Sequence, residues 1–182
     1  KCKAYPIYCN PASTSYAITL KKNIITGNSK KIDGIRADSG KLILSSNTIS
    51  SCSRAIILSS KVKGTVYPNT FKKNTYNNVK VNSSYVNTLT VKSLSGKSKS
   101  AKTATLNWKK LSSASGYVVY RSASKNGSYT KISTIKKNKT ITYKDSKLKR
   151  KSTYYYKIVP YTTIGKTTVY GLDSKIVSIK IK

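Results

Sequence analysis

A chain of 182 residues, 37% of them apolar, is long enough to bury a core as one large domain or two small ones. Its charge is the anomaly: 36 Lys and Arg stand against four acids, Asp33, Asp38, Asp145 and Asp173, for a net charge of +32. The chain has no His, Glu or Met, so a serine triad, a Cys–His nucleophile, a zinc cage and a paired-carboxylate glycosidase centre are excluded on residue inventory.

In chain order, the first feature is a Tyr- and Pro-containing stretch with Cys2 and Cys9 seven residues apart. That spacing points to a Cys2–Cys9 disulfide closing a small loop, with Cys52 left as a free thiol. No apolar run reaches the 18 residues of a membrane span. Lys1 reads as an internal residue of a longer precursor, since neither an initiator Met nor a signal peptide precedes it.

Next come three lines that align on asparagine: AITLKKNII (17–25), KLILSSNTI (41–49) and KGTVYPNTF (63–71). Asn23, Asn47 and Asn69 are spaced 24 and 22 residues apart, each followed two places later by Ile25, Ile49 or Phe71. A further apolar strand trails each line, at GIRA (34–37), AIIL (55–58) and VKV (79–81). A period near 23 with two or three strands per period predicts stacked coils whose aliphatics form ladders and whose asparagine amides bond from one coil to the next. Cys52 stands five places after its ladder asparagine, where Asn28 and Asn74 are the equivalents, and reads as a filling group.

NTISSCSRAIIL resembles the repeat of right-handed parallel β-helix proteins, the architecture of pectate lyases and many secreted adhesins, over about residues 15–84. The resemblance implies about three coils, with segment 1–14 plugging the open end. Lyases of this architecture bind calcium through clustered acids. DGIRAD (33–38) is the one nearby set here, and its two aspartates read as turn and cap residues.

From about residue 85 the repeat stops, and GKSKSAKT (96–103) reads as a linker or exposed loop. Seven alternating strands are predicted around it: LTVK (89–92), TATLNW (103–108), GYVVYRS (116–122), TKIST (130–134), TITYKD (140–145), TYYYKIVPYT (153–162) and KIVSIKIK (175–182). LNWKKLSSASGYVVYRSASKNGSYTKI and LKRKSTYYYKI closely resemble a bacterial fibronectin type III domain of the kind found in secreted proteins of Gram-positive bacteria. The resemblance implies a sandwich over 85–182, with Trp108 in its second strand and Tyr154, six residues after Leu148, as the tyrosine corner bonded to nearby backbone.

The fold expected is therefore all-β: a short right-handed parallel β-helix over 1–84, then a fibronectin type III sandwich over 85–182. Both parts are cationic, with 14 basic and 2 acidic residues in the first and 22 basic and 2 acidic residues in the second. The densest run gives Lys136, Lys137, Lys139, Lys144, Lys147, Lys149, Arg150 and Lys151 as candidate polyanion-binding residues, in two clusters at either side of a short strand. Alternation in TYYYKIVPY turns Tyr154, Tyr156 and Ile158 inward and Tyr155, Lys157, Val159 and Tyr161 outward. Tyr155 and Tyr161 are the candidate stacking groups, with Lys157 beside them; cross-strand packing explains the tyrosines equally well.

The function expected is non-catalytic attachment or scaffolding at a bacterial surface, outside the cell and as part of a longer parent chain. The partner would be an anionic polymer: teichoic acid, acidic polysaccharide or extracellular nucleic acid. No catalytic residue, metal or cofactor is expected. The alternatives are the C-terminal tail of a β-helix polysaccharide lyase with its catalytic coils upstream, and a membrane-active polycation, which the lack of an amphipathic helix argues against.

Overall fold

The computed structural model describes residues 7–10, 17–27, 32–86 and 88–182, and among them the regular structure is all strand. The chain divides into two compact units, residues 1–88 with 162–170, and residues 89–161 with 171–182. The sequence places the division after residue 84 and assigns 162–170 to the second part. In the structure that segment belongs to the first unit.

In the first unit the strands are β1 (Ile7–Cys9), β2 (Ala17–Lys21), β3 (Ile24–Thr26), β4 (Ile35–Ala37), β5 (Lys41–Ser45) and β6 (Thr48–Ser50). They continue with β7 (Arg54–Leu58), β8 (Lys63–Val66), β9 (Thr70–Lys72), β10 (Tyr76–Val81) and β11 (Ser84–Val86). The chain visits three sheets in turn, and within each the strands stack in parallel: β2–β5–β8, β3–β6–β9 and β1–β4–β7–β10. Register places like on like, giving inward columns Leu20–Leu44–Val66, Ile25–Ile49–Phe71, Ile35–Ile56–Val79 and Ala37–Leu58–Val81. Each strand is too short to bury its aliphatics alone. Stacking removes them from water together, at about 1.5–3 kcal/mol per fully buried side chain.

The asparagines at the corners form the ladder that their spacing predicts. Asn47 Nδ2 donates to Asn69 Oδ1 at 2.9 Å, and Asn23 Nδ2 donates to Asn47 Oδ1 at 3.0 Å. Each asparagine's backbone amide also reaches the next Oδ1, at 3.0 Å for Asn23 and 2.9 Å for Asn47. Cys52 lies in a second column, its amide donating to Asn74 Oδ1 at 2.9 Å and its thiol to Ser50 O at 3.1 Å. It is fully buried, and burial pushes its thiol pKa up, so it fills space rather than reacting.

The expected Cys2–Cys9 disulfide falls partly outside the described residues, which leave out Cys2 and Asn28; Cys9 itself is buried. Two expectations for this unit are corrected. Ile7–Cys9 is an edge strand paired in parallel with β4 rather than a plug; the rest of that segment, apart from Asn10, lies outside the described residues. The sheets are mixed rather than uniformly parallel, because β11 runs antiparallel to β10. The antiparallel strand satisfies backbone groups that β10 would otherwise expose.

The second unit begins with β12 (Ser95–Lys97), β13 (Ala104–Asn107), β14 (Gly116–Ser122), β15 (Thr130–Ile135), β16 (Thr142–Asp145) and β17 (Thr153–Ile164), whose last residues pass to the first unit. β18 (Thr167–Tyr170) follows in the first unit and β19 (Val177–Lys180) returns to the second. Two antiparallel sheets, β12–β13–β16 and β15–β14–β17–β19, face each other. Between them lie Leu106, Trp108, Tyr117, Val119, Tyr156, Ile158 and Ile179. Trp108 meets Tyr117 edge-on, with centroids 5.4 Å apart.

The expected strand LTVK is a single bridge, Thr90 to Leu172. The first regular strand is β12, part of which the sequence reads as linker. Its small and basic residues hide a strand whose partners lie eight to twelve residues away. Tyr154 behaves as a corner: its hydroxyl accepts from the Lys149 amide at 3.2 Å.

Candidate polyanion-binding site

The sequence that ends β16 explains how an open basic surface is held. Asp145 is buried, and its carboxylate accepts from Arg121 Nη1 at 3.0 and 3.3 Å and from the Tyr156 hydroxyl at 2.9 Å. Arg121 in turn lies 5.4 Å over the Tyr154 ring. The loop after Asp145 is pinned at three points. Leu148 is buried and its amide donates to Lys102 O at 3.0 Å, the Lys149 amide donates to Tyr154, and the Lys151 amide donates to Ile181 O at 2.9 Å.

The result is an open groove of about 680 Å³ lined by Lys102, Lys147, Leu148, Lys149, Arg150 and Tyr154. Its four cations are exposed, and the nearest acid in the loop, Asp145, is buried and already bonded. Lys102, Lys147 and Lys151 have left-handed backbones, with φ of 60, 61 and 59°. Such positions favour Gly or Asn, and another residue there costs of order 1 kcal/mol. Among the described residues, five of the eight non-glycine residues with positive φ are lysine: Lys22, Lys73, Lys102, Lys147 and Lys151. The chain keeps cations where local backbone preference opposes them.

Several predicted residues fall elsewhere. Lys136, Lys137 and Lys139 are exposed on the connection entering β16, so the four-residue strand, about 13 Å long, separates them from the groove. Lys144 lies exposed on β16 itself, and Lys151 flanks the groove without lining it. Lys157 does not offer its charge outward: it bonds Asp173 at 2.7 Å and lies over the rings of Tyr129 at 4.7 Å and Tyr120 at 5.7 Å. Tyr155 and Tyr161 are half-buried, and Val159, expected outward, is buried. The Tyr161 hydroxyl donates to Ile135 O at 3.4 Å and the ring lies against Gly116, where an added Cβ would come within 2.6 Å of that hydroxyl. Lys102 went unpredicted because 45 residues separate it from Lys147 and no local pattern joins them.

In the first unit, DGIRAD lines a cleft of about 290 Å³ with Arg54, Lys80 and Asn82. Asp38 bonds Arg36 at 3.2 Å and Tyr8 at 2.8 Å, and Asp33 Oδ1 accepts from the Arg54 amide at 3.3 Å with its guanidinium at 4.0 Å. Both acids are engaged by arginine, which makes the pair a poor calcium site.

Tyr156 connects the second unit's stability to pH. Burial raises its phenol far above the ordinary range, and the hydrogen bond to Asp145 adds to this. The unfolded chain then releases the proton first, so stability is full below about pH 10 and falls as pH rises beyond it. Denaturation followed by Trp108 fluorescence should show that fall, and Tyr156→Phe should reduce its slope. Tyr129, Tyr143 and Tyr161, also shifted upward, sustain the remainder.

No protein-family model and no curated protein matches the chain. Similar solved structures are fibronectin type III domains. An Fn3-like protein from Clostridium thermocellum is 29% identical, with 50% of this chain and 88% of that one covered at a TM-score of 0.43. The sixth fibronectin type III domain of human fibronectin type III domain containing protein 3 is 19% identical, covering 53% and 87% at 0.43. Among the described residues no helix is long and apolar enough to cross a membrane.

Proposed function

We propose that the chain is part of a secreted bacterial surface protein that attaches to anionic polymer without catalysis. The observation carrying this reading is the groove of Lys102, Lys147, Lys149 and Arg150, four exposed cations, three of them on a loop anchored by Leu148 and Tyr154. In this reading the second unit is a fibronectin type III domain, supported by its two antiparallel sheets and the Tyr154 corner. The first is the end of a right-handed parallel β-helix, supported by the three parallel stacks and the Asn23–Asn47–Asn69 ladder. The partner is teichoic acid, acidic polysaccharide or extracellular nucleic acid, held by charge and released by salt.

The test compares two triple variants, Lys147→Gln/Lys149→Gln/Arg150→Gln and Lys136→Gln/Lys137→Gln/Lys139→Gln, against teichoic acid, DNA, polygalacturonate and heparin over a range of salt. The groove variant should lose affinity more steeply, with its log–log salt slope reduced by about 2–3. Equal losses from the two triples would reduce the reading to diffuse charge.

A further inference from the structure

The first unit carries a second basic feature that its strand register creates. On the outward face of β2–β5–β8, Lys41 is the Cα partner of Lys63, and both are exposed. Strand β18 extends this sheet, pairing in parallel with β8 through Thr168 with Thr65 and Val169 with Val66. Thr167 sits opposite Gly64, whose amide donates to its hydroxyl at 3.3 Å. Exposed Lys166 lies in the turn immediately before Thr167, as Lys63 precedes Gly64, so one further step of the same register would bring it alongside Lys63. At the far end the register still holds, since Tyr67 and Tyr170 stack with centroids 5.0 Å apart and planes 8° from parallel.

Lys41 and Lys63 thus lie side by side on β5 and β8 at the strand spacing of about 4.8 Å, and Lys166 in the turn leading into β18 extends the line. Like charges directly opposite on neighbouring strands are destabilising, and no acid occurs in β2, β5, β8 or β18 to offset them. Asp38, the acid nearest Lys41 in sequence, is bonded to Arg36 and Tyr8. The row is not a product of the repeat, because Lys166 arrives from 103 residues beyond Lys63.

The row's chemistry narrows the ligand. Its cations are compact ammonium groups with no arginine fork among them, which suits phosphate as a point charge better than bidentate carboxylate. The neighbouring outward row carries Thr65 and Thr168, hydroxyl residues in register with each other. Among the described residues of β2, β5, β8 and β18 the aromatics are Tyr67, just past β8, and Tyr170, each four residues along from the lysine row and stacked on each other.

We propose that this face of the first unit binds a linear phosphate polymer laid across the strands over Lys41, Lys63 and Lys166, with the Thr65 and Thr168 hydroxyls donating to phosphate oxygens alongside. The site is on a different unit from the groove, so the two readings can fail separately. Long-chain inorganic polyphosphate is the probe, with single-stranded DNA and polygalacturonate as comparisons, all on the full chain. Lys41→Gln/Lys63→Gln/Lys166→Gln should weaken polyphosphate binding about tenfold or more at low salt and lower the salt slope by about 2, from three lost contacts. The Lys→Arg triple should keep most of the binding, and Lys22→Gln/Lys72→Gln/Lys73→Gln, an equal loss of charge elsewhere on the unit, should change it little. Without polymer, the row variant should melt at higher temperature than the parent in low salt, which also shows that it folds. Equal losses from the row and control triples would overturn the proposal, as would DNA or polygalacturonate binding lost to the same extent as polyphosphate.

Discussion

Val169→Asp is expected to unfold the first unit while leaving the second folded. Val169 lies on β18, is buried in the first unit's core, and pairs with Val66 at the edge of β8. Beside it Thr167 is fully buried, with its hydroxyl donating to Val62 O at 3.0 Å and accepting from Gly64 N. β18 therefore closes an otherwise unpaired strand edge and fills the core beneath it. A buried, unpaired aspartate there should cost about 3–5 kcal/mol. The milder Thr167→Val, which strands one donor and one acceptor, should cost about 1–3 kcal/mol.

The two units can be read separately because the one tryptophan, Trp108, is buried in the second. Val169→Asp should lower the first part of a far-ultraviolet circular-dichroism melt and leave the fluorescence transition near its parent midpoint. Exposed strand edges should also make the variant prone to aggregate. If both signals moved together by the same amount, β18 would be serving the second unit rather than the first.

Asn47→Leu should be the second severe change. Asn47 is fully buried, and its carboxamide takes part in four hydrogen bonds: Oδ1 accepts from Asn23 N and Nδ2, while Nδ2 donates to Asn69 Oδ1 and Leu20 O. Leucine matches the volume but removes the partner of two donors and of the Leu20 carbonyl, and leaves Asn69 Oδ1 only the Asn47 backbone amide, at a cost of about 2–4 kcal/mol. Asn69→Leu, at the half-exposed end of the ladder, should cost clearly less, about 1 kcal/mol. Urea denaturation followed by circular dichroism would rank them. Equal costs would mean that the ladder contributes as isolated hydrogen bonds and not as a buried column.

These two positions differ in how far the sequence announces them. Asn47 was legible because its partners recur at spacings of 24 and 22 with the same aliphatic two places on, and a parallel stack translates that period directly into contact. The alternation in TYYYKI likewise placed Tyr156 and Ile158 inward, since a strand's two faces follow from its period of two. Val159 broke that rule, because burial on the second face depends on what covers it and not on the strand's own pattern.

Charge was legible as an amount and not as a place. The sequence by itself determined an all-β chain, an asparagine ladder, a tyrosine corner and an excess of lysine without the acids or histidines that most catalysis needs. Only the tertiary structure decided which lysines lie near one another: Lys157 pairs with Asp173, Lys102 joins Lys147 and Lys149, Lys41 lies opposite Lys63, and Lys166 leads into the strand that pairs with β8. The reason is physical. Periodicity encodes neighbours within one element or one repeat, whereas these groupings depend on hydrogen-bond register between segments 45 and 103 residues apart, which no local pattern in the chain records.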